Sequence, residues 1–130
     1  MIFIAHRGNI NGPNENEENK PEYILNAINE GYFVETDLWK IKDDLYLGHD
    51  KPHYKIKIDF LLNIKNKLFC HCKNIDALYY ILSNGLDIEC FFHDNDECVL
   101  TSKNKIWNFT GSQLTKKSIC VMPERIDEKN

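Results

Sequence analysis

Polar side chains able to do acid–base or metal chemistry recur where the predicted strands of this chain end. His6 follows the apolar N-terminal run, His71 and Lys73 end a second run, and His93 ends a later one. In open parallel α/β sheets and in barrels, ligands bind at the carboxyl ends of the strands. The repeated placement therefore predicts a ligand site along one edge of a sheet.

Two carboxylates stand two residues apart on another predicted strand. Glu35 and Asp37 point to the same face of the sheet, because side chains alternate along a strand. Neighbouring carboxylates repel each other unless a cation or a shared proton lies between them. A divalent, oxygen-seeking ion such as Mg²⁺ or Ca²⁺ would remove that conflict. The alternative is a pair of solvated side chains, since charged residues on strands are usually exposed.

The same alternation applies to the segment Leu-Phe-Cys-His-Cys-Lys. His71 and Lys73 share one face, and Cys70 and Cys72 share the other. If the cysteines pack under helices, the histidine and lysine face the ligand side, where a metal or phosphate would offset the cost of burying a lysine. The alternative is an edge strand with Lys73 at its solvated end.

Two short motifs add a phosphate grip and a second imidazole. Arg7 can hold a phosphate or carboxylate through two hydrogen bonds, and Gly8 lets the backbone turn sharply beside a ligand. His49, followed by Asp50, ends a short stretch in the same way. Because imidazole changes protonation near neutral pH, His6 and His49 are candidates for an acid and a base.

Length and composition indicate one ordinary globular domain. The chain has 130 residues, 42% hydrophobic and 28% charged, and we expect a single α/β domain over residues 1–124 with a polar tail at 125–130. The net charge of -4 argues against a non-specific nucleic-acid partner and against adsorption to an anionic membrane. No apolar run has the length of a membrane span or of a secretory signal, which predicts a cytoplasmic protein.

The cysteines are odd in number and mostly lie in apolar runs. Without a Cys-x-x-Cys pair, they are expected to be small buried residues and not a disulfide framework. They are Cys70, Cys72, Cys90, Cys98 and Cys120.

Apolar periodicity predicts strands that alternate with helices through the first two thirds of the chain. Helices are expected at 21–31, 58–64 and 75–83, and strands at 1–5, 32–41, 45–48, 67–73, 88–93, 98–101, 106–109 and 118–122. This alternation is typical of βαβ units and of a largely parallel sheet.

Taken in order, the motifs resemble those of a known family. His6-Arg7-Gly8, Glu18-Asn19, Glu35-Thr36-Asp37 and His49-Asp50 resemble the glycerophosphodiester phosphodiesterase family. That family belongs to a group of phospholipase-C-like phosphodiesterases of phospholipid metabolism with a TIM-barrel fold. The resemblance covers the segment from Ile4 to Asp50 and is loose beyond it.

The resemblance implies a metal-dependent phosphodiesterase that cleaves a small glycerophosphodiester or a related phosphodiester. His6 and His49 would be the acid–base pair, and Glu35 and Asp37 would bind the metal. A water or a substrate hydroxyl would attack phosphorus, giving hydrolysis or cyclising cleavage.

Arg7 would hold the phosphate, with Glu18 ordering the first loop through it. Where the family usually carries Glu-x-Lys, this chain has His71-Cys72-Lys73. Lys73 is retained as a substrate-binding candidate. His71 remains a candidate metal ligand, in a softer site less suited to Ca²⁺.

The chain is shorter than the fold that the resemblance implies. A (β/α)₈ barrel needs about 250 residues, so we expect a reduced or incomplete TIM-like (β/α) barrel of mostly parallel strands. Open sheet edges are a liability, and a homodimer is one way to cover them. His93 and Trp107 are further substrate-binding candidates, with a surface loop and a core position as their alternatives.

Two other functional classes are compatible with the same residues. A non-catalytic module that binds a phosphate ligand would keep the pocket without turnover, and the replacement at His71 favours it. A structural domain without a ligand would be indifferent to divalent ions. The two histidines favour the enzyme, because a binding module has no need of an acid–base pair.

Overall fold

A computed structural model describes residues 2–92, 98–103, 105–108 and 118–120 of the chain. Its helices are α1 (Pro21–Asn29), α2 (Ile58–Asn63) and α3 (Ile75–Ser83), with a 3₁₀ turn at Lys65–Lys67. Its strands are β1 (Ile4–His6), β2 (Phe33–Ile41), β3 (Asp44–Leu47), β4 (Tyr54–Ile56), β5 (Leu68–Cys72), β6 (Cys90–Phe91), β7 (Cys98–Leu100), β8 (Ile106–Asn108) and β9 (Ser118–Cys120).

The long strand β2 organises a six-stranded mixed sheet. Along one edge it pairs in parallel with β5, and β5 pairs in parallel with β6. Its other edge is divided, because β1 pairs in parallel with its first half and β3 pairs antiparallel with its second half. The strand β4 extends the sheet beyond β3, while β7, β8 and β9 form a separate three-stranded sheet.

The predicted reduced TIM-like barrel is wrong. In the described part of the chain the sheet runs β4-β3-β2-β5-β6 and stays open, with β1 beside β2. A barrel requires every strand to be paired on both sides until the sheet closes. Here the antiparallel pair of β3 and β4 extends the sheet outward from β2, so the order of parallel strands is interrupted.

Most individual elements lie where the apolar pattern predicts them. The helix at 75–83 is confirmed at both ends, and the helix between Pro21 and Gly31 is confirmed to within two residues. The pattern missed β4, which is only three residues long and follows a lysine-containing turn. The predicted tail at 125–130 lies outside the described residues.

The two faces of β2 are covered differently. Val34 and Leu38 pack with the buried residues of α1 and α3, in the larger hydrophobic cluster. Glu35 and Asp37, one residue out of phase, lie on the opposite face. That face also carries Phe69, which belongs to a second, smaller aromatic cluster. The sheet therefore holds the carboxylates on the side of the aromatic rings and away from the helices.

The cysteine prediction is confirmed for three of the five residues. Cys70, Cys72 and Cys90 are buried free thiols on the helix-covered face. Contact with the Cys70 sulfur, together with burial, raises the pKa of Cys72, so its thiol stays protonated. Within the described segments, no helix has the length and apolar character needed to cross a membrane.

Candidate metal centre

The strand register brings three of the predicted metal ligands together. Asp37 on β2 lies opposite His71 on β5, and Glu35 is two residues from Asp37 on the same face. One ligand atom from each of the three residues lies within 4.8 Å of the others. The Nδ1 of His71 is 3.2 Å from the Oδ1 of Asp37. We call these three residues the Glu35–Asp37–His71 cluster.

Glu35 is the member of the cluster whose burial is least compensated. Its side chain is 1% exposed, and within the described residues neither carboxylate oxygen accepts a hydrogen bond. Its nearest counter-charge is the His6 imidazole, whose Nε2 is 3.0 Å from Glu35 Oε2 and whose pKa this contact raises. A buried carboxylate without donors costs several kcal/mol unless a cation or counter-charge offsets it. Two buried carboxylates and an imidazole within 4.8 Å of one another form a donor set that fits a divalent cation.

His6 occupies the strand next to Glu35, in direct register with it. Burial alone lowers the pKa of His6, but the charge and close contact of the Glu35 carboxylate raise it. The net pKa lies above the ordinary value for histidine. A histidine held in this way can act as a proton donor near neutral pH.

Asp37 contrasts with Glu35, because donors surround it. Its Oδ2 accepts a 2.9 Å hydrogen bond from Asn19 Nδ2 and is 3.4 Å from Arg7 Nε. Burial alone would raise the pKa of Asp37, but the contacts with His71, Asn19 and Arg7 lower it well below its ordinary range. Asp37 is therefore held as a carboxylate.

The loop after β1 is tied to the site through Arg7. Its Nη1 donates to Glu18 Oε1 at 3.0 Å, which confirms the contact that the resemblance implies between these residues. The other Glu18 oxygen accepts from Asn9 Nδ2 and from the backbone N–H of Asn14. Although burial opposes it, these hydrogen bonds lower the pKa of Glu18. Glu18 thus orders the loop around the guanidinium.

Gly8 is required where the chain leaves β1. Its φ is +89°, a conformation that residues with a Cβ rarely adopt. A Cβ atom there would lie 2.8 Å from the ring of Tyr23. The sharp turn predicted for Gly8 is therefore confirmed.

Asn19 is a partner of Asp37 to which the sequence analysis assigns no role. It is fully buried and left-handed, with φ of 68°. It also accepts a 3.0 Å hydrogen bond from the backbone N–H of Asp37. Its own N–H donates to the carbonyl of Arg7. The signal that the sequence offers for it is its place in the Glu18-Asn19 motif.

Replacing Asn19 with Ala is expected to lower the free energy of unfolding by about 2–4 kcal/mol, because it removes two buried hydrogen bonds to Asp37 and alanine tolerates positive φ poorly. Urea unfolding measures the change. Asn26→Ala, on the exposed side of α1, is the matched control and should change stability by less than about 0.5 kcal/mol. Equal losses in both variants would contradict the role of Asn19.

His49 lies in the wall of a cleft of about 500 Å³ that also contains Arg7 and Asn19. Its Nδ1 is 2.8 Å from Asp50 Oδ1, and its side chain is 40% exposed. The preceding Gly48 donates its N–H to the carbonyl of Asp37 at 3.0 Å. His6 and His49 are thus on separate elements. Neither His6 nor a member of the Glu35–Asp37–His71 cluster is among the residues that line this cleft; Arg7 and Asn19 line it and contact Asp37.

The remaining substrate-binding candidates have different environments. Lys73 directly follows β5, and its backbone N–H donates to the carbonyl of Leu38. This contact does not test substrate binding by the lysine side chain, which stays a prediction. Trp107 is 2% exposed and packs against Phe69 and Phe91, at ring distances of 5.6 and 4.6 Å. Trp107 therefore has the core position that the sequence analysis gave as its alternative. The described structure does not support a role for Trp107 as a wall of the substrate site. His93 lies outside the described residues.

Comparisons of the chain with protein-family models, with curated proteins and with solved structures found no match.

Proposed function

We propose that this protein is a metal-dependent phosphodiesterase that cleaves a small glycerophosphodiester or a related phosphodiester. The observation that carries the proposal is the Glu35–Asp37–His71 cluster, in which two buried carboxylates and an imidazole lie within 4.8 Å of one another. The cleft lined by Arg7 and His49 supplies room for a substrate, and Arg7 connects it to the cluster through Asp37. The sequence resemblance to glycerophosphodiester phosphodiesterases supports the same chemistry.

The cation would be held by the cluster, where it would polarise the phosphoryl group and offset negative charge on the non-bridging oxygens. Arg7 is oriented by Glu18 and Asp37, so its guanidinium is positioned to bind a phosphate oxygen. The open cleft gives the phosphate access to this group.

The two histidines would divide the proton transfers. His6, on the strand beside Glu35, would donate a proton to the leaving oxygen. His49 contacts Asp50 through Nδ1, which leaves Nε2 to accept a proton from the attacking water or substrate hydroxyl. Product analysis distinguishes these nucleophiles, because an attacking substrate hydroxyl gives a cyclic phosphate.

A phosphate-binding module without turnover is the second candidate. The exposure of His49 favours it, since the Asp50 carboxylate that contacts this side chain is itself 93% exposed and holds the ring only weakly. The module would use the same Arg7 and the same cation. It would bind a phosphodiester without cleaving it.

The proposal is tested by incubating the full chain with a panel of glycerophosphodiesters and Mg²⁺, Ca²⁺, Mn²⁺ or Zn²⁺. We expect turnover with at least one ion, its loss in excess chelator and its return when the ion is restored. Binding of a phosphodiester without cleavage under every condition would favour the binding module. Absence of both binding and cleavage by a folded protein would contradict both candidates.

The proposed setting is the cytoplasm, with a small-molecule substrate and no nucleic-acid partner. The homodimer expected from an open sheet edge stays a prediction as well. Sedimentation at several protein concentrations would test it, because a dimer dissociates on dilution.

A further inference from the structure

We propose that His71 makes this site selective for a first-row transition-metal ion of the Zn²⁺ type, in place of the Mg²⁺ or Ca²⁺ expected from the sequence. The inference rests on the proposed function for the existence of the metal site. It concerns the identity of the ion and the residue that determines it.

The donor set is the first argument. The cluster offers one imidazole nitrogen and two carboxylates. Imidazole is a good ligand for Zn²⁺ and similar ions, whereas Mg²⁺ and Ca²⁺ prefer oxygen ligands throughout. Three protein ligands with a remaining open position are also the usual arrangement of a catalytic zinc site.

The number of available oxygens is the second argument. Ca²⁺ takes about six to eight oxygen ligands. The Oδ2 of Asp37 already accepts a hydrogen bond from Asn19 and faces Arg7, so it is occupied by donors. That leaves the two oxygens of Glu35 and the Oδ1 of Asp37 as carboxylate ligands in the cluster. Three carboxylate oxygens suit an ion of low coordination number better than they suit Ca²⁺.

The position of the His71 ring is the third argument. The ring stacks on Phe91 with centroids 4.9 Å apart and an interplanar angle of 14°, which restricts its orientation. Its Nδ1 is 3.2 Å from Asp37 Oδ1. Two ligands bonded to one ion at about 2.1 Å, with an angle between about 90° and 110°, lie about 3.0–3.4 Å apart. The observed separation fits a direct hydrogen bond in the metal-free fold and also two ligands of one small ion, so an ion could replace the shared proton without moving either side chain.

Titration calorimetry of the full chain with Zn²⁺, Mg²⁺ and Ca²⁺ tests the inference without any substrate. We expect Zn²⁺ to bind at one site per chain, and we expect His71→Gln to lower the ratio of Zn²⁺ to Mg²⁺ affinity by at least about tenfold, the size of effect that even outer-shell partners produce. His53→Gln is the matched control. His53 is exposed and stacks on Tyr54, so its replacement should leave the ratio unchanged.

A second measurement on the unaltered chain covers the case in which His71→Gln does not fold. With ¹⁵N-labelled histidine, Zn²⁺ should shift the Nδ1 resonance of the histidine that stacks on Phe91. Zn²⁺ binding without that shift, or an unchanged affinity ratio in His71→Gln, would overturn the inference. Metal-dependent turnover would then still support the proposed function. Absence of binding by all three ions would remove the metal from both proposals.

Discussion

Alanine in place of His6 is expected to lower phosphodiester turnover by about 100- to 10,000-fold, the usual contribution of a general acid or base. Substrate affinity should change little, because Arg7 and the metal ligands remain. His6 sits in register with Glu35 on the neighbouring strand, and that carboxylate raises its pKa. The variant removes an imidazole whose pKa Glu35 raises, without removing a phosphate contact.

Asn26→Ala is the control for His6→Ala, because Asn26 is exposed on α1 and is not in the wall of the cleft. Its turnover should stay close to that of the unaltered protein. Steady-state kinetics separates the two effects, since His6→Ala should lower kcat while KM changes little. A His6→Ala protein that retains its kcat would contradict the assignment of His6 as an acid–base residue.

The second histidine gives a further check on the same prediction. If His6 and His49 act in one reaction, the double variant should lose little more activity than His6→Ala alone, because residues that act as a unit are strongly non-additive. Multiplied losses in the double variant would show that the two imidazoles act independently. That result would remove His49 from the proposed proton transfer.

The grouping of the site residues could be predicted largely because strands have a simple period. The alternation along β2 is enough to place Glu35 and Asp37 on one face, and the same rule separates His71 from the cysteines. The rule that parallel strands present ligands at their carboxyl ends then groups residues that are far apart in sequence. The register that sets Asp37 opposite His71 brings that group together in the fold.

The architecture could not be predicted in the same way, because strand pairing is decided by contacts distant in sequence. The pattern located β3 but not its antiparallel partner β4, which interrupts the order of parallel strands. The resemblance ends near Asp50, just before β4. The prediction of a barrel therefore extended the fold of the family to a part of the chain that the resemblance does not cover. The separate sheet of β7, β8 and β9 lies entirely in that region.

Two residues show what a sequence pattern does not contain. The role of Asn19 depends on a left-handed backbone that turns its amide toward Asp37, and many loop asparagines lack such a partner. Trp107 was open to a substrate or a core role. Its packing against Phe69 and Phe91 follows from tertiary structure alone. Both assignments depend on neighbours that are distant in sequence.

The isosteric variants Asp37→Asn and Glu35→Gln are expected to have different consequences for the metal-free fold. Asp37→Asn should lower the free energy of unfolding by about 2–4 kcal/mol, because hydrogen bonds to a charged group are worth about 1.5–3 kcal/mol each and buried partners lose their counter-charge. Glu35→Gln should lower it by less than Asp37→Asn does, because within the described residues Glu35 accepts no hydrogen bond and the contact it would lose is the one with His6. Urea unfolding in excess chelator measures both.

The same pair separates a metal ligand from a structural carboxylate. A saturating ion at about 100 times its dissociation constant stabilises the native state by about 2.7 kcal/mol, and both variants should lose that gain. Glu35→Gln is then a protein of ordinary stability that no longer responds to the ion. If Glu35→Gln instead destabilised the metal-free fold as much as Asp37→Asn, Glu35 would be compensated by protein contacts such as His6. The small number of protein contacts to Glu35 is one support for a cation at this site, so that outcome would remove this support.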